Sequence, residues 1–98
     1  MGVDVMETTL VNYLRNEGII GKERAVKADR ICQDLSITGV VLRSLTNSLR
    51  CQGFPICSGG NGYYIASSDT EVRKTIMQLN KRMNGMQKAI DGLTLNLL

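Results

Sequence analysis

The chain has 98 residues, enough for one small domain, since single cores take about 100 to 150 residues, and too few for a two-domain enzyme of ordinary size. An apolar fraction of 43%, a charged fraction of 21% and a net charge of +3 describe a folded soluble chain with a mild leaning towards anionic partners; no stretch approaches the ~20 apolar residues of a membrane span. There is no histidine, and the three cysteines form no C-x-x-C pair, so the sequence offers no Cys/His set for zinc and lacks the commonest general base near neutral pH.

These totals predict a protein that is not an enzyme and needs no cofactor or metal. The opening "MGVDVMETT" predicts no targeting segment, hence a cytoplasmic location. Cys32 and Cys51 read as small buried thiols; a reducing compartment disfavours a Cys51 to Cys57 bridge. Charge is spread unevenly: residues 21 to 50 hold six basic and three acidic side chains, against one and three in residues 1 to 20.

From Val5 to Glu17 the residues Met6, Leu10, Val11 and Leu14 recur at helical spacing, and Gly18 follows as a stop. "IIGKERAV" reads as a loop with one short strand near Ala25 to Lys27, its Lys22, Arg24 and Lys27 exposed. A second helix over Ala28 to Leu35 follows from Ala28, Ile31, Cys32 and Leu35 on one face. Ser36 ends it, Ile37 plugs the gap between helices, and Thr38 is placed to cap a third.

In that third helix Val41, Leu42, Leu45 and Leu49 form the expected buried stripe, with Val40, Arg43, Asn47 and Arg50 on the opposite side. Gly53 and Pro55 close it. "CSGGNGYYIA" then raises a choice between a phosphate cradle and a turn. A cradle needs glycines leading from a strand into a helix; here an aromatic, β-branched run follows, so Gly59, Gly60, Asn61 and Gly62 read as a hairpin turn. Of Tyr63 and Tyr64, one is expected to pack inward and the other to face out.

Beyond Ser68, Val72, Ile76, Leu79, Met83, Met86, Ile90, Leu93 and Leu97 follow at steps of 4, 3, 4, 3, 4, 3 and 4, a heptad seam. A helix of that length exceeds what one small domain covers, which predicts a coiled-coil homodimer. Its flanking positions, Arg73, Thr75, Asn80, Arg82, Gln87, Ala89, Thr94 and Asn96, hold no complementary charge pairs. A tail folded back on its own domain would show part of the same pattern.

The order of elements, and "ICQDLSITGVVLRSLTNSLRCQGFPI" followed by "GFPICSGGNGYYIA", resemble the winged helix-turn-helix domain of the biotin-repressor type. Small phage and prophage proteins of Gram-positive bacteria share this layout, with a basic helical tail. The resemblance covers about residues 5 to 68 and departs at Ser36, where glycine is usual, and at Val41, often threonine. It implies a mainly α fold with a small β-hairpin, organised as a winged domain over residues 1–68 and a dimerising C-terminal helix over 69–98.

Sequence-dependent binding to double-stranded DNA then follows as the expected function, in a small homodimeric regulator of transcription or phage replication. Thr38 and Ser44 would hold phosphates with the opening amides of the third helix, Arg43 and Asn47 would reach base edges, Val40 would belong to the same contact surface, and Arg50, Lys22, Arg24 and Asn61 would touch flanking phosphates. The competing reading is a protein-interaction module that uses the same surface without DNA. Separately, Arg43, Asn47 and Arg50 would on the plainest reading be only the solvated face of an amphipathic helix.

Overall fold

The computed structural model describes residues 5–97. The expected domain bounds and the opening segment extend over residues 1–4 and 98, which lie outside the described residues. The elements run α1 (Val5–Asn16), a single 3-10 turn (Lys22–Arg24), α2 (Ala28–Leu35), α3 (Gly39–Cys51), β1 (Ile56–Gly59), β2 (Gly62–Ile65) and α4 (Asp69–Thr94). The result is a mainly helical chain with a two-stranded antiparallel hairpin and a long C-terminal helix, as the periodicities predict.

The core gathers Leu10 and Leu14 of α1, Ile31 of α2, Leu42, Leu45 and Leu49 of α3, and Ile56, Tyr64 and Ile65 of the hairpin. Two expected stripes are corrected by one position each. On α1, Glu7 is buried while Met6 is 38% exposed, because Glu7, Leu10 and Leu14 fall on the i, i+3, i+7 line that faces α3. Its carboxylate accepts hydrogen bonds from Ser48 Oγ at 2.5 Å and Gln52 Nε2 at 2.8 Å. On α3 the inward line is Leu42, Leu45, Thr46 and Leu49, leaving Val41 37% exposed.

The first three helices end alike. After α1, Ile19 N–H bonds the Leu14 carbonyl and Gly18 N–H that of Arg15; after α2, Ile37 bonds Cys32 and Ser36 bonds Gln33; after α3, Phe54 bonds Leu49 and Gly53 bonds Arg50. Each is a six-to-one, five-to-two closure with a left-handed residue at its bend: Gly18 (φ 67), Ser36 (φ 54) and Gly53 (φ 89). In each, the next residue is apolar and turns inward: Ile19 is in the core, and Ile37 and Phe54 pack against it. The tight turn between α2 and α3 is thus a helix stop whose plug is Ile37, followed at once by Thr38, whose side chain accepts from Val41 N–H at 3.2 Å.

Strand β2 is central. It pairs with β1 in the register Ile56↔Ile65, Cys57↔Tyr64, Ser58↔Tyr63 and Gly59↔Gly62, so Gly60 and Asn61 form the tip. The strand expected near Ala25 to Lys27 contracts to one antiparallel bridge, Val26 to Tyr63, and Ile20 adds a parallel bridge to Ile65. Gly62 is required where the chains cross: its φ is +115°, and a Cβ there would stand 2.3 Å from the Val26 carbonyl oxygen. Tyr64 is the inward tyrosine, and Tyr63 is partly buried.

The cysteines exchange expected places. All three are free; Cys57 is the buried one, Cys32 is half-buried and Cys51 is exposed. Cys57 lies under α4, its Sγ 3.6 Å from the Glu71 carbonyl. The start of α4 is tied down by its own residues: Ser68 Oγ accepts from Glu71 N–H, and the Glu71 carboxylate accepts from Ser67 N–H at 2.7 Å and Lys22 N–H at 3.0 Å. These two amides hold the Glu71 carboxyl below the usual carboxylate range.

Only about the first two turns of α4 pack on the domain, chiefly through half-buried Val72 and buried Thr75. Every residue from Ile76 to Leu97 is exposed. The tail does not fold back on its domain. Leu97, the last expected seam residue, lies past the end of the helix at Thr94.

Candidate nucleic-acid interface

From its cap at Thr38 to Asn47, α3 presents an exposed face on a helix whose other side is packed. Thr38 caps it, and Val40 (67% exposed), Arg43, Ser44 and Asn47 stand outward on successive turns. Behind them the four buried positions Leu42, Leu45, Thr46 and Leu49 fix the helix against the core. The Arg43 guanidinium lies along its own helix, where a Cβ on Gly39 would meet Nη1 at 3.4 Å. Neither the Arg43 nor the Asn47 side chain takes part in an ion pair or side-chain hydrogen bond within the described residues. By contrast Arg30 lies 3.8 Å from Glu17 and 3.6 Å from Asp34.

Arg50 does not share that outward face, contrary to the helical-wheel expectation. It is half-buried at the end of α3 and reaches across to the hairpin. Its Nε donates to the Ile56 carbonyl at 2.7 Å and its Nη2 to Ser58 Oγ at 3.1 Å. Burial pushes the guanidinium below its ordinary pKa, with the Arg82 charge acting in the same direction. A side chain so occupied is a strut between helix and hairpin, and its expected place as a free phosphate contact is corrected.

Two of the other expected contacts, Asn61 and Lys22, lie at the hairpin tip. Exposed Asn61 and Lys22 line one small depression of about 80 Å³ with Ser58, Gly59, Gly60 and Lys74. Lys27, at the start of α2, donates from Nζ to the Gly60 carbonyl and so holds the tip down. Arg24 sits apart, in a shallow hollow with Ile20, Gly21, Ser67 and Glu71. The sequence thus located the tip and Lys22, but not Lys74, which reaches the same place from α4, nor the role of Lys27. The only signal for Lys74 was its basic neighbourhood in a helix that read as a dimer element.

The second surface is apolar. Val72, Ile76 and Leu79 of α4 form one wall of a groove of about 280 Å³ whose other wall is Phe54, Pro55 and Ile56, with Arg50 at its edge. The groove runs into the bare part of the seam, where Met83, Met86, Ile90 and Leu93 are 57%, 62%, 56% and 71% exposed. Gly85 and Gly92 each weaken that stretch by about 1 kcal/mol relative to alanine, and a helix segment without tertiary cover has little to offset it.

No protein-family model, curated protein or solved structure matches the chain. Among the described residues no helix is long and apolar enough to cross a membrane, and no group of three or more Asp, Glu or Cys side chains is placed to hold a metal.

Proposed function

We propose that residues 5–68 form a winged helix-turn-helix domain and that the protein is a small homodimeric DNA-binding regulator, acting in transcription or phage replication. The α2 to α3 turn closed by Ile37 is the helix-turn-helix, α3 is the recognition helix, and Gly60–Asn61 is the tip of the wing. The reading is carried by Arg43 and Asn47, both unpaired and one turn apart on the exposed side of a helix whose other side is locked in the core. A guanidinium pairs bidentately with guanine and a carboxamide with adenine in the major groove. Lys22, Lys27 and Lys74 round the wing tip supply the backbone attraction.

One observation favours the alternative, a protein-docking module. Val40 and Val41 are both exposed at the front of α3, and two neighbouring β-branched side chains suit an apolar partner as well as a thymine methyl. Selection of random duplexes by the purified protein separates the two. The DNA reading expects an enriched sequence repeated at a fixed spacing, with binding that weakens steeply with salt. Recovery of unbiased duplex, or of none, would sink it.

A further inference from the structure

The reading above includes a dimer through α4 without fixing how the helices run; we infer that they run antiparallel, the distal half of each helix filling the groove beside the other copy's domain. The occupant is therefore a second copy of this chain.

Three observations select this arrangement. The groove between Val72, Ile76 and Leu79 on one side and Phe54, Pro55 and Ile56 on the other is walled by the chain's own domain, so its filler must be a helix free of attached structure. The proximal part of α4 is not free, since Thr75 is buried and Val72 half-buried against the hairpin. From Ile76 onward the helix is bare, and only an antiparallel partner brings its bare end to the groove.

The seam itself matches in that direction. Centred between Met83 and Met86, it sets Met83 against the partner's Met86, Leu79 against the partner's Ile90, and Ile76 against the partner's Leu93, so the layers from Ile76 to Leu93 are closed. The groove and the bare seam are one continuous surface, and the two-fold axis uses both twice.

Charge points the same way. Residues 69–82 hold Arg73, Lys74, Lys81 and Arg82 against Asp69 and Glu71, whereas residues 83–97 hold one cation, Lys88, and one carboxylate, Asp91. A parallel pair would stack cationic half on cationic half beside both copies of Arg50. The antiparallel pair lays the neutral half against the cationic one. It also sets the two α3 surfaces at opposite ends of the pair.

Sedimentation asks whether the pair exists, and crosslinking asks how it is arranged; DNA binding enters neither. Chains carrying Ile76→Cys with Leu93→Cys, and chains carrying Ile90→Cys alone, are oxidised beside the unmodified protein, which sets the background from its own cysteines. The double variant is expected to be trapped largely as covalent dimer and the single variant to stay at background. A fluorophore pair at Thr94→Cys, beside the seam, is expected to report roughly 30 Å between copies, against about 10 Å between axes for parallel helices. A dimer trapped by Ile90→Cys alone, or the short distance, overturns the antiparallel arrangement and spares the dimer. A monomer at micromolar concentration overturns both.

Discussion

Arg50 donates to the Ile56 carbonyl at 2.7 Å, joining the last turn of α3 to the first residue of the hairpin. Without it, that end is held by side-chain packing and by the short link itself, closed by Phe54 N–H on the Leu49 carbonyl. With Nη2 on Ser58 as well, the guanidinium spans two acceptors in a fixed fork that an ammonium cannot reproduce.

Arg50→Ala is therefore expected to destabilise the fold by ~1–3 kcal/mol, because it strips a charged donor from partly buried acceptors. Arg50→Lys should recover only a fraction. Denaturant unfolding measures both. An Arg50→Ala protein as stable as the parent would mean that the strut contributes nothing.

Arg43 and Asn47 call for the opposite result. Neither supports the core, so Arg43→Ala and Asn47→Ala should leave the unfolding midpoint within about 0.5 kcal/mol of the parent. On the selected duplex each should cost ~1–3 kcal/mol and relax preference at one base pair. Lys22→Ala or Lys74→Ala, by contrast, should weaken binding to all sequences alike and lower the salt slope by about 1. Anisotropy titrations at several salt concentrations read both effects. Equal losses on every duplex from Arg43→Ala would move that residue to the phosphates.

How much of this was legible follows from which signals are local. The span of α2, the cap at Thr38, the stop at Gly53 and the hairpin with its tip at Gly60 and Asn61 are all set by residues within a few positions, and the sequence displays them. Periodicity alone misplaced Met6 against Glu7 and Val41 against Thr46, since a stripe of apolar letters does not reveal which polar neighbour turns inward: Ser48 and Gln52 supply partners for Glu7 from another helix, whereas the buried Thr46 hydroxyl has none among the described residues. Arg50 was misread, and Lys74 passed over, because no local signal marks their roles. Their roles depend on the hairpin lying against α3 and α4, a relation with no trace in sequence spacing.

Glu7 and Glu71 set the response to acid. The Ser48 hydroxyl and Gln52 amide hold the Glu7 carboxyl below its ordinary pKa, as the Ser67 and Lys22 amides do for Glu71. A carboxylate whose folded pKa is depressed contributes stability that is present above its unfolded pKa and is lost as pH falls through the folded value. The melting temperature should hold at neutral pH and begin to fall once pH drops below the ordinary carboxylate pKa of about 4.3. Glu7→Gln and Glu71→Gln should each flatten that decline while lowering stability at neutral pH. On the alkaline side, burial and the Asp34 carboxylate at 2.6 Å push the Tyr13 phenol up to about 12, so its contribution holds below the usual phenol range and is lost as pH rises through that value. A melting temperature indifferent to acid would contradict both carboxylate assignments.

Ser36 is the sole non-glycine residue with positive φ among those described, and it occupies the bend that Gly18 and Gly53 occupy after the other two helices. An L-residue there crowds its own Cβ against the carbonyl, at roughly 1–2 kcal/mol, while glycine gives back part of the gain through the greater freedom of its unfolded chain. Ser36→Gly should thus stabilise the domain by about 0.5–1 kcal/mol, a rise of a few degrees in melting temperature for a chain of this size. Ser36→Val, with a branched Cβ at the same φ, should lose more than that gain. Because Ile37 enters the core directly after this bend, duplex affinity should follow stability only for the valine variant, where the α2 to α3 angle is put under strain. A Ser36→Gly protein less stable than the parent would show that the serine hydroxyl, and not the backbone bend, decides this position.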